Sequence, residues 1–340
     1  MSLPAAPEKL IAPNGLPFFG VYEGTIRKLN WADYDFSLIR RGVLSKIGPI
    51  AKMYLKRWHY IGIIHPSFTL GAACVDLNYI GNAFFYLYER SSRQMNQFET
   101  ILPAAMKINM AESAESGQTS VQTKGFSSVF DNGAKPIRVN MNIKNRLSAS
   151  LLLHTDDSVP ISCITRIGLG GFNYTHKLAG IPASGEVSID GRRLDATGSW
   201  AVIDFTLGIP ARETFWNWAA GGGKSDSGKT FGLNFAAGIN ETGFTENVFW
   251  LDGKPHKADA VHFDYDRKDL MSPWRILSSD GKVDLVFHPE GKRSAKINAL
   301  VIASMFHQPF GTFKGVLRSD DGVENITEGY GYVEEHMSRW

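Results

Sequence analysis

Read in steps of two, the stretch from Gly198 to Gly253 sorts its apolar and polar positions as β-strands do. Along 200–206, Trp200, Val202, Asp204 and Thr206 share one face, and Ala201, Ile203 and Phe205 share the other. Over 213–219, Trp216 and Trp218 fall together with Asn217 opposite. Over 230–236, Phe231, Leu233 and Phe235 oppose Thr230, Gly232, Asn234 and Ala236. Over 246–251, Glu246, Val248 and Trp250 oppose Asn247, Phe249 and Leu251. Asp252-Gly253 reads as a tight hairpin turn, because this pair supplies the positive φ angles of a type I′ turn.

The same signal covers most of the chain. Short alternating or apolar runs lie near 59–65, 68–77, 80–89, 119–130, 136–143, 149–154, 161–167, 170–177 and 185–190, and again near 259–266, 282–287, 297–306, 310–318 and 329–335. Turn pairs such as Asn132-Gly133, Asp190-Gly191, Asp280-Gly281 and Asp321-Gly322 separate them. Many antiparallel strands at such spacing predict an all-β chain of barrels or sandwiches. The exception is 36–58, where Ile39, Val43, Ile47, Ile50, Tyr54 and Trp58 recur at spacings of three and four. Asp35 suits its cap, and Gly48-Pro49 is expected to split it. Its other face carries Arg40, Arg41, Lys46, Lys52, Lys56 and Arg57, which fits a solvated face or a weak contact with a membrane surface through residues 36–57. The expected organisation is an N-terminal segment over 1–57 with this helix, one β domain over 58–182 and a second over 183–340, divided at Ile181-Pro182.

Composition narrows the function classes. The chain has 340 residues, 43% hydrophobic and 21% charged, with a net charge of +2, so nucleic acid has no electrostatic footing as a partner. The start, MSLPAAPEKLIAPNG, has no apolar signal region, and no run is long enough to span a bilayer, so a soluble, cytoplasmic chain is expected. Cys74 and Cys163 lie in apolar segments and read as buried free thiols. The nine histidines show no HxxxH or HxH spacing, so neither a metal nor another cofactor is expected. No nucleophile elbow occurs, and Gly168-Leu169-Gly170-Gly171 opens no helix. Gly223, Gly228, Lys229 and Thr230 fit a P-loop, which needs a helix directly after it; TFGLNFAAG instead has strand alternation. A nucleotide site from Gly223 to Thr230 is therefore the distant alternative to a Gly/Ser/Lys-rich hairpin loop.

With the strands placed, YTHKLAGIPASGEVSIDGRRLDATGSWAVIDFTLG resembles the central signature of AttH-like and carotenoid 1,2-hydratase-like proteins. The strings FWNWAAG, GLNFAAG, ENVFWLDG, PWRI, QPFGTFKGVL and GYVEEHMSRW resemble more closely the domain of unknown function 2804 family, from about Lys56 to Trp340. The resemblance implies two lipocalin-like β domains side by side. It also implies relatives that bind hydrophobic small molecules, some of which hydrate or cyclise them without a cofactor.

Asp204 is the leading site residue: it matches the aspartate of that signature and shares a face with Trp200. Desolvation beside an indole would raise its pKa and suit it to acid–base work, although an aspartate bonded to a backbone amide explains it equally well. His176, on a face with Phe172 and Tyr174, and Glu246, in ENVFW, are the candidate partners. Trp200, Trp216, Trp218, Asn234, Trp250 and Tyr174 are the expected ligand-binding residues, against plain core packing. Asp76, and the charged run Glu334, Glu335, His336 and Arg339, read as structural. Two functions stand side by side: a hydratase, cyclase or isomerase acting on an isoprenoid, polyketide or lipid-like ligand in a β-barrel pocket, or a carrier of the same ligand.

Overall fold

In a computed structural model, which describes residues 3–39, 50, 53–239, 243–298 and 303–340, the alternating segments become two antiparallel sheets with almost no helix. The first sheet runs in the order Gln94–Pro103, Ile80–Glu89, Phe68–Asp76, Lys56–His65, Ser199–Gly208, Gly171–Ile189, Leu147–Leu153, Ile137–Ile143, Phe126–Asp131, Gln118–Gln122 and Ile108–Asn109. It curls, so that its last two strands return against Phe68–Asp76. The second sheet runs Lys254–Lys257, Val248–Leu251, Thr230–Ala237, Glu213–Lys224, Gly322–Arg339, Ala303–Ser319, Val283–Asn298, Trp274–Ser278 and Val261–Asp264, and curls until its last strand meets Thr230–Ala237.

Each curl is filled by the apolar face that the alternation predicts. Ile61, Phe85, Phe130, Val139, Leu151 and Ile203 belong to the buried cluster of the first sheet. Phe231, Leu233, Phe235, Phe249, Trp274, Phe287 and Phe313 belong to that of the second. Residues 3–39 cover one flank of the first sheet: Gly20–Glu23 pairs with Ile161–Ile167, and Leu10, Ile11, Ile26 and Tyr34 pack with Phe172, Tyr174, Phe205 and Leu207.

The two sheets meet backbone to backbone. Strand Gly171–Ile189 shifts register between Ala179 and Ile181, and Gly180 there has a φ of +74°. A Cβ on Gly232 of the second sheet would lie 2.2 Å from the Ala179 carbonyl, so neither position has room for a side chain. The bulge lets one strand pair first with Ile161–Ile167 and then with Leu147–Leu153. The suggested division at Ile181-Pro182 thus falls inside one strand, and the chain leaves the first sheet after Gly208 to enter the second at Glu213.

One expectation is corrected, and the distant P-loop alternative gives way to the expected hairpin loop. The helix over 36–58 is replaced at its ends: Asp35 accepts from Ser37 N (3.0 Å) to cap a single 3₁₀ turn at Phe36–Leu38, and Lys56, Arg57 and Trp58 open the strand Lys56–His65. Pairing with strands on both sides overrides the local helical spacing there; residues 40–49, 51 and 52, with much of the basic face, lie outside the described residues. The P-loop pattern is a hairpin, since Glu213–Lys224 pairs with Thr230–Ala237 up to Lys224 and Thr230. Lys229 donates to Glu324 Oε1 (2.8 Å), and this bond with that from Ser227 holds the Glu324 carboxyl down at about 2. The Ser225 and Gly228 amides bond within the loop, that of Asp226 bonds the Asn325 carbonyl, that of Thr230 bonds Asp252, and the lysine is spent on a carboxylate. Among the described residues, no helix is long and apolar enough to cross a membrane.

Candidate functional site

A cavity of about 340 Å³ lies between the two sheets rather than inside either curl. It exists because the cavity-facing positions of the facing strands are aromatic, small or charged, while their neighbours in sequence fill the cores. Strand Lys56–His65 contributes Trp58 and Tyr60, Phe68–Asp76 contributes Ala73 and Val75, and Ile80–Glu89 contributes Asn82 and Phe84. The second sheet adds Trp216 and Trp218, Arg293, Phe306, Glu334 and His336.

One wall holds a buried charge cluster. Asn173, Thr175 and Lys177 alternate onto the cavity face of Gly171–Ile189, and Asp204 and Thr206 onto that of Ser199–Gly208. Lys177 Nζ lies 3.0 Å from Asp204 Oδ2 and 3.1 Å from Glu246 Oε1, the latter carried by the second sheet's side of the cavity. Thr206 Oγ1 donates to Asp204 Oδ1 (2.8 Å), Trp58 Nε1 to Asp204 Oδ2 (3.3 Å) and Thr175 Oγ1 to Glu246 Oε2 (2.6 Å). Burial works against the Lys177 charge, but Asp204 and Glu246 outweigh it and raise its pKa, so the ammonium persists. That ammonium also sits 5.0 Å from the Trp218 ring centroid. The described partners of Asp204, namely Thr206, Trp58 and Lys177, all donate to it.

The opposite wall carries a second set. Trp216 Nε1 donates to Glu334 Oε1 (2.8 Å), and the His336 ring lies 4.1 Å from that of Trp216, between Ser304 and Ser338 hydroxyls at 2.8 and 2.9 Å from Nε2. Trp58 and Trp340 stack with ring centroids 6.3 Å apart. Tyr60 bonds Tyr86 OH to OH (2.7 Å), and burial, with Tyr332 beside it, keeps its phenol protonated.

The sequence-selected residues divide, His176 and Tyr174 by strand parity and the others by their place along the strands. Asp204, Glu246, Trp216 and Trp218 line the cavity. Asn234 stands behind it, accepting from Trp218 Nε1 (2.9 Å) and donating to the Glu246 carbonyl (2.9 Å). His176 and Tyr174 occupy the other face of their strand; His176 Nε2 meets Thr25 Oγ1 at 2.9 Å, and Tyr174 is fully buried beneath residues 3–39. Trp250 donates to the Val159 carbonyl (2.8 Å), and Trp200 lies against Gly222 where the sheets meet; neither lines the cavity. Asp76 bonds Arg57 and the Asn78 amide. Glu335 turns away to Arg267 (3.0 Å) and Tyr265. Lys177 and Arg293 are cavity residues that strand reading passed over, and Glu334 and His336, read there as structural, also line the cavity. Among the described residues, no group of three His, Cys, Asp or Glu side chains is gathered for a metal ion. Burial pushes the Cys74 thiol up to about 12, so it is inert.

The family described as "Domain of unknown function (DUF2804)" matches residues 5–340. No curated protein matches the chain. Among solved structures, CghA with Sch210972 is similar at 10% identity and a TM-score of 0.52, over 84% of this chain and 88% of that one. Kievitone hydratase from Nectria haematococca is similar at 13% identity and a TM-score of 0.51, over 82% and 88%. An AttH-like protein from Nitrosomonas europaea follows at 12% identity and a TM-score of 0.48, over 83% and 92%. At such identities the first two likenesses are of fold.

Proposed function

The chain belongs to the DUF2804 family, and on that premise we propose that it binds a hydrophobic small molecule between its two sheets and moves a proton on it without a cofactor. The observation that carries this is the Asp204–Lys177–Glu246 set in the wall of an otherwise mostly aromatic and apolar cavity. A volume near 340 Å³ suits a small ligand. Two carboxylates and one ammonium sum to a single negative charge. A proton taken from the ligand by Asp204 leaves the set neutral, and its return restores the starting state. Lys177 stays charged throughout and stabilises the remaining carboxylate. Trp218 turns a ring face to the Lys177 ammonium beside that set and stabilises its charge. Such a site fits addition or loss of water across a double bond, ring closure or double-bond migration. That one protein of this fold is named a hydratase is in keeping with this, as analogy only.

A carrier is the second reading, and one observation favours it: both oxygens of Asp204 already have donors. One experiment separates the two. A co-purifying ligand is identified by native mass spectrometry, and binding and conversion are followed for wild type and Asp204→Asn. Proton transfer requires that Asp204→Asn retains the ligand and loses conversion by about a hundredfold or more. Tight binding with no conversion in either protein would leave the carrier.

A further inference from the structure

Arg293 is a buried cation with no hydrogen-bond acceptor at its guanidinium among the described residues. Its side chain stands in the cavity wall at 5% exposure. No hydrogen bond or ion pair reaches its guanidinium among the described residues, and its Nε is buried without a partner. What surrounds it is aromatic: the guanidinium carbon lies 4.2 Å from the Phe84 ring centroid, 4.8 Å from that of Phe306 and 5.2 Å from that of Tyr86. Two carboxylates share this region of the cavity, and both are engaged elsewhere. Glu99 accepts from Asn82 Nδ2 (2.6 Å), and Glu334 accepts from Trp216. Gln308, the register partner of Arg293 on the neighbouring strand, points its amide at Glu334 (3.4 Å) and leaves Oε1 buried without a donor.

Ring faces compensate part of a guanidinium's charge but accept none of its N–H groups in the plane. A guanidinium desolvated this far and left unpaired is costly, and buried polar groups in folded proteins are otherwise almost always satisfied. The rings pack the cation in place and leave its in-plane fork to be met by something else. A fork of parallel N–H groups matches the two oxygens of a carboxylate. We propose that the cavity's ligand is a hydrophobic carboxylic acid in its ionised form, and that Arg293 binds the carboxylate while Gln308 Oε1 accepts from a neighbouring donor on the same ligand. This rests on reading the cavity as a ligand site. It gives the ligand a polarity: its acid end lies at Arg293 and its reacting end at the Asp204 cluster.

The test uses the whole chain and the neutral fluorescent probe N-phenyl-1-naphthylamine, displaced in parallel by decanoate and by decan-1-ol. In wild type, decanoate is expected to displace the probe at concentrations about tenfold to a hundredfold below the alcohol, as a charge-assisted bond to a buried partner implies. In Arg293→Gln that preference is expected to vanish, with probe and alcohol binding unchanged. Arg293→Lys keeps the charge without the fork, and is expected to lose most of the preference; it serves if the glutamine variant does not fold. Equal displacement by acid and alcohol in wild type overturns the proposal, as does a preference that survives both substitutions. Absence of probe binding by wild type would remove the cavity reading itself, a separate result.

Discussion

The lysine that joins the two carboxylates is the residue hardest to see in the sequence. Asp204 and Glu246 are legible because one is an acid in an aromatic strand and the other stands two residues before such a strand, where burial demands a reason. Lys177 in YTHKLAG looks like an ordinary exposed strand position, and its burial depends on Glu246, brought from the far side of the cavity. His176 shows the reverse error. It shares an aromatic run with Tyr174, but strand parity sends both away from the cavity, and the parity is fixed by which face residues 3–39 cover. His176 and His59 carry a consequence of that placement. Burial lowers His176 to about 4, although Glu115 and Asp204 oppose it, and burial with the His176 charge lowers His59 to about 3. Both are neutral in the fold, so below their usual value of 6.5 the unfolded chain binds protons that the native chain refuses. Stability then rises with pH from about 4 to 6.5 and is lost on acidification through the same window. Between pH 7 and pH 4.5 the two together should remove on the order of 3–5 kcal/mol. The urea midpoint of wild type is expected to fall steeply over that range and that of His59→Gln/His176→Gln much less; equal slopes would mean that carboxylates alone govern acid lability.

At the scale of elements, period-two alternation located most strands, because one face of each is buried and the other is not. The turn at Asp252-Gly253 was equally legible: its φ angles are +47° and +78°, as the residue pair requires. The strand Gln94–Pro103 was not, since it stands at a sheet edge and buries neither face fully. Nor was the length of Gly171–Ile189, because Gly180 and Pro182 read as breaks when the first is a bulge. The sharpest contrast concerns two neighbours in one glycine-rich run. Gly232→Ala is expected to cost about 3 kcal/mol or more, because its methyl would overlap the Ala179 carbonyl. Lys229→Ala removes an ion pair between a part-exposed lysine and the buried Glu324, which keeps Ser227 as a donor, and is expected to cost less than Gly232→Ala, with no ATP binding before or after. Thermal melts of the two variants, with and without ATP, check both; a nucleotide-dependent rise lost in Lys229→Ala would reinstate the P-loop.

At the scale of the molecule, the two-sheet, all-β organisation follows from the strands, but the place of the cavity does not. Alternation reports which face of a strand is apolar, not which of two apolar surroundings it meets. A pocket inside a barrel was the natural expectation; Phe85, Phe130, Phe231 and Trp274 are buried in the cores, and the cavity that gathers Asp204, Lys177 and Glu246 falls where the sheets face each other. The direct measurement is a fluorescence titration of N-phenyl-1-naphthylamine onto wild type and Val75→Trp, whose larger side chain would project from Phe68–Asp76 into that space. If the cavity between the sheets is the ligand site, wild type binds the probe saturably at one site, and Val75→Trp binds it at least tenfold more weakly while melting within a few degrees of wild type. Undiminished binding by a folded Val75→Trp, or none by wild type, would contradict it.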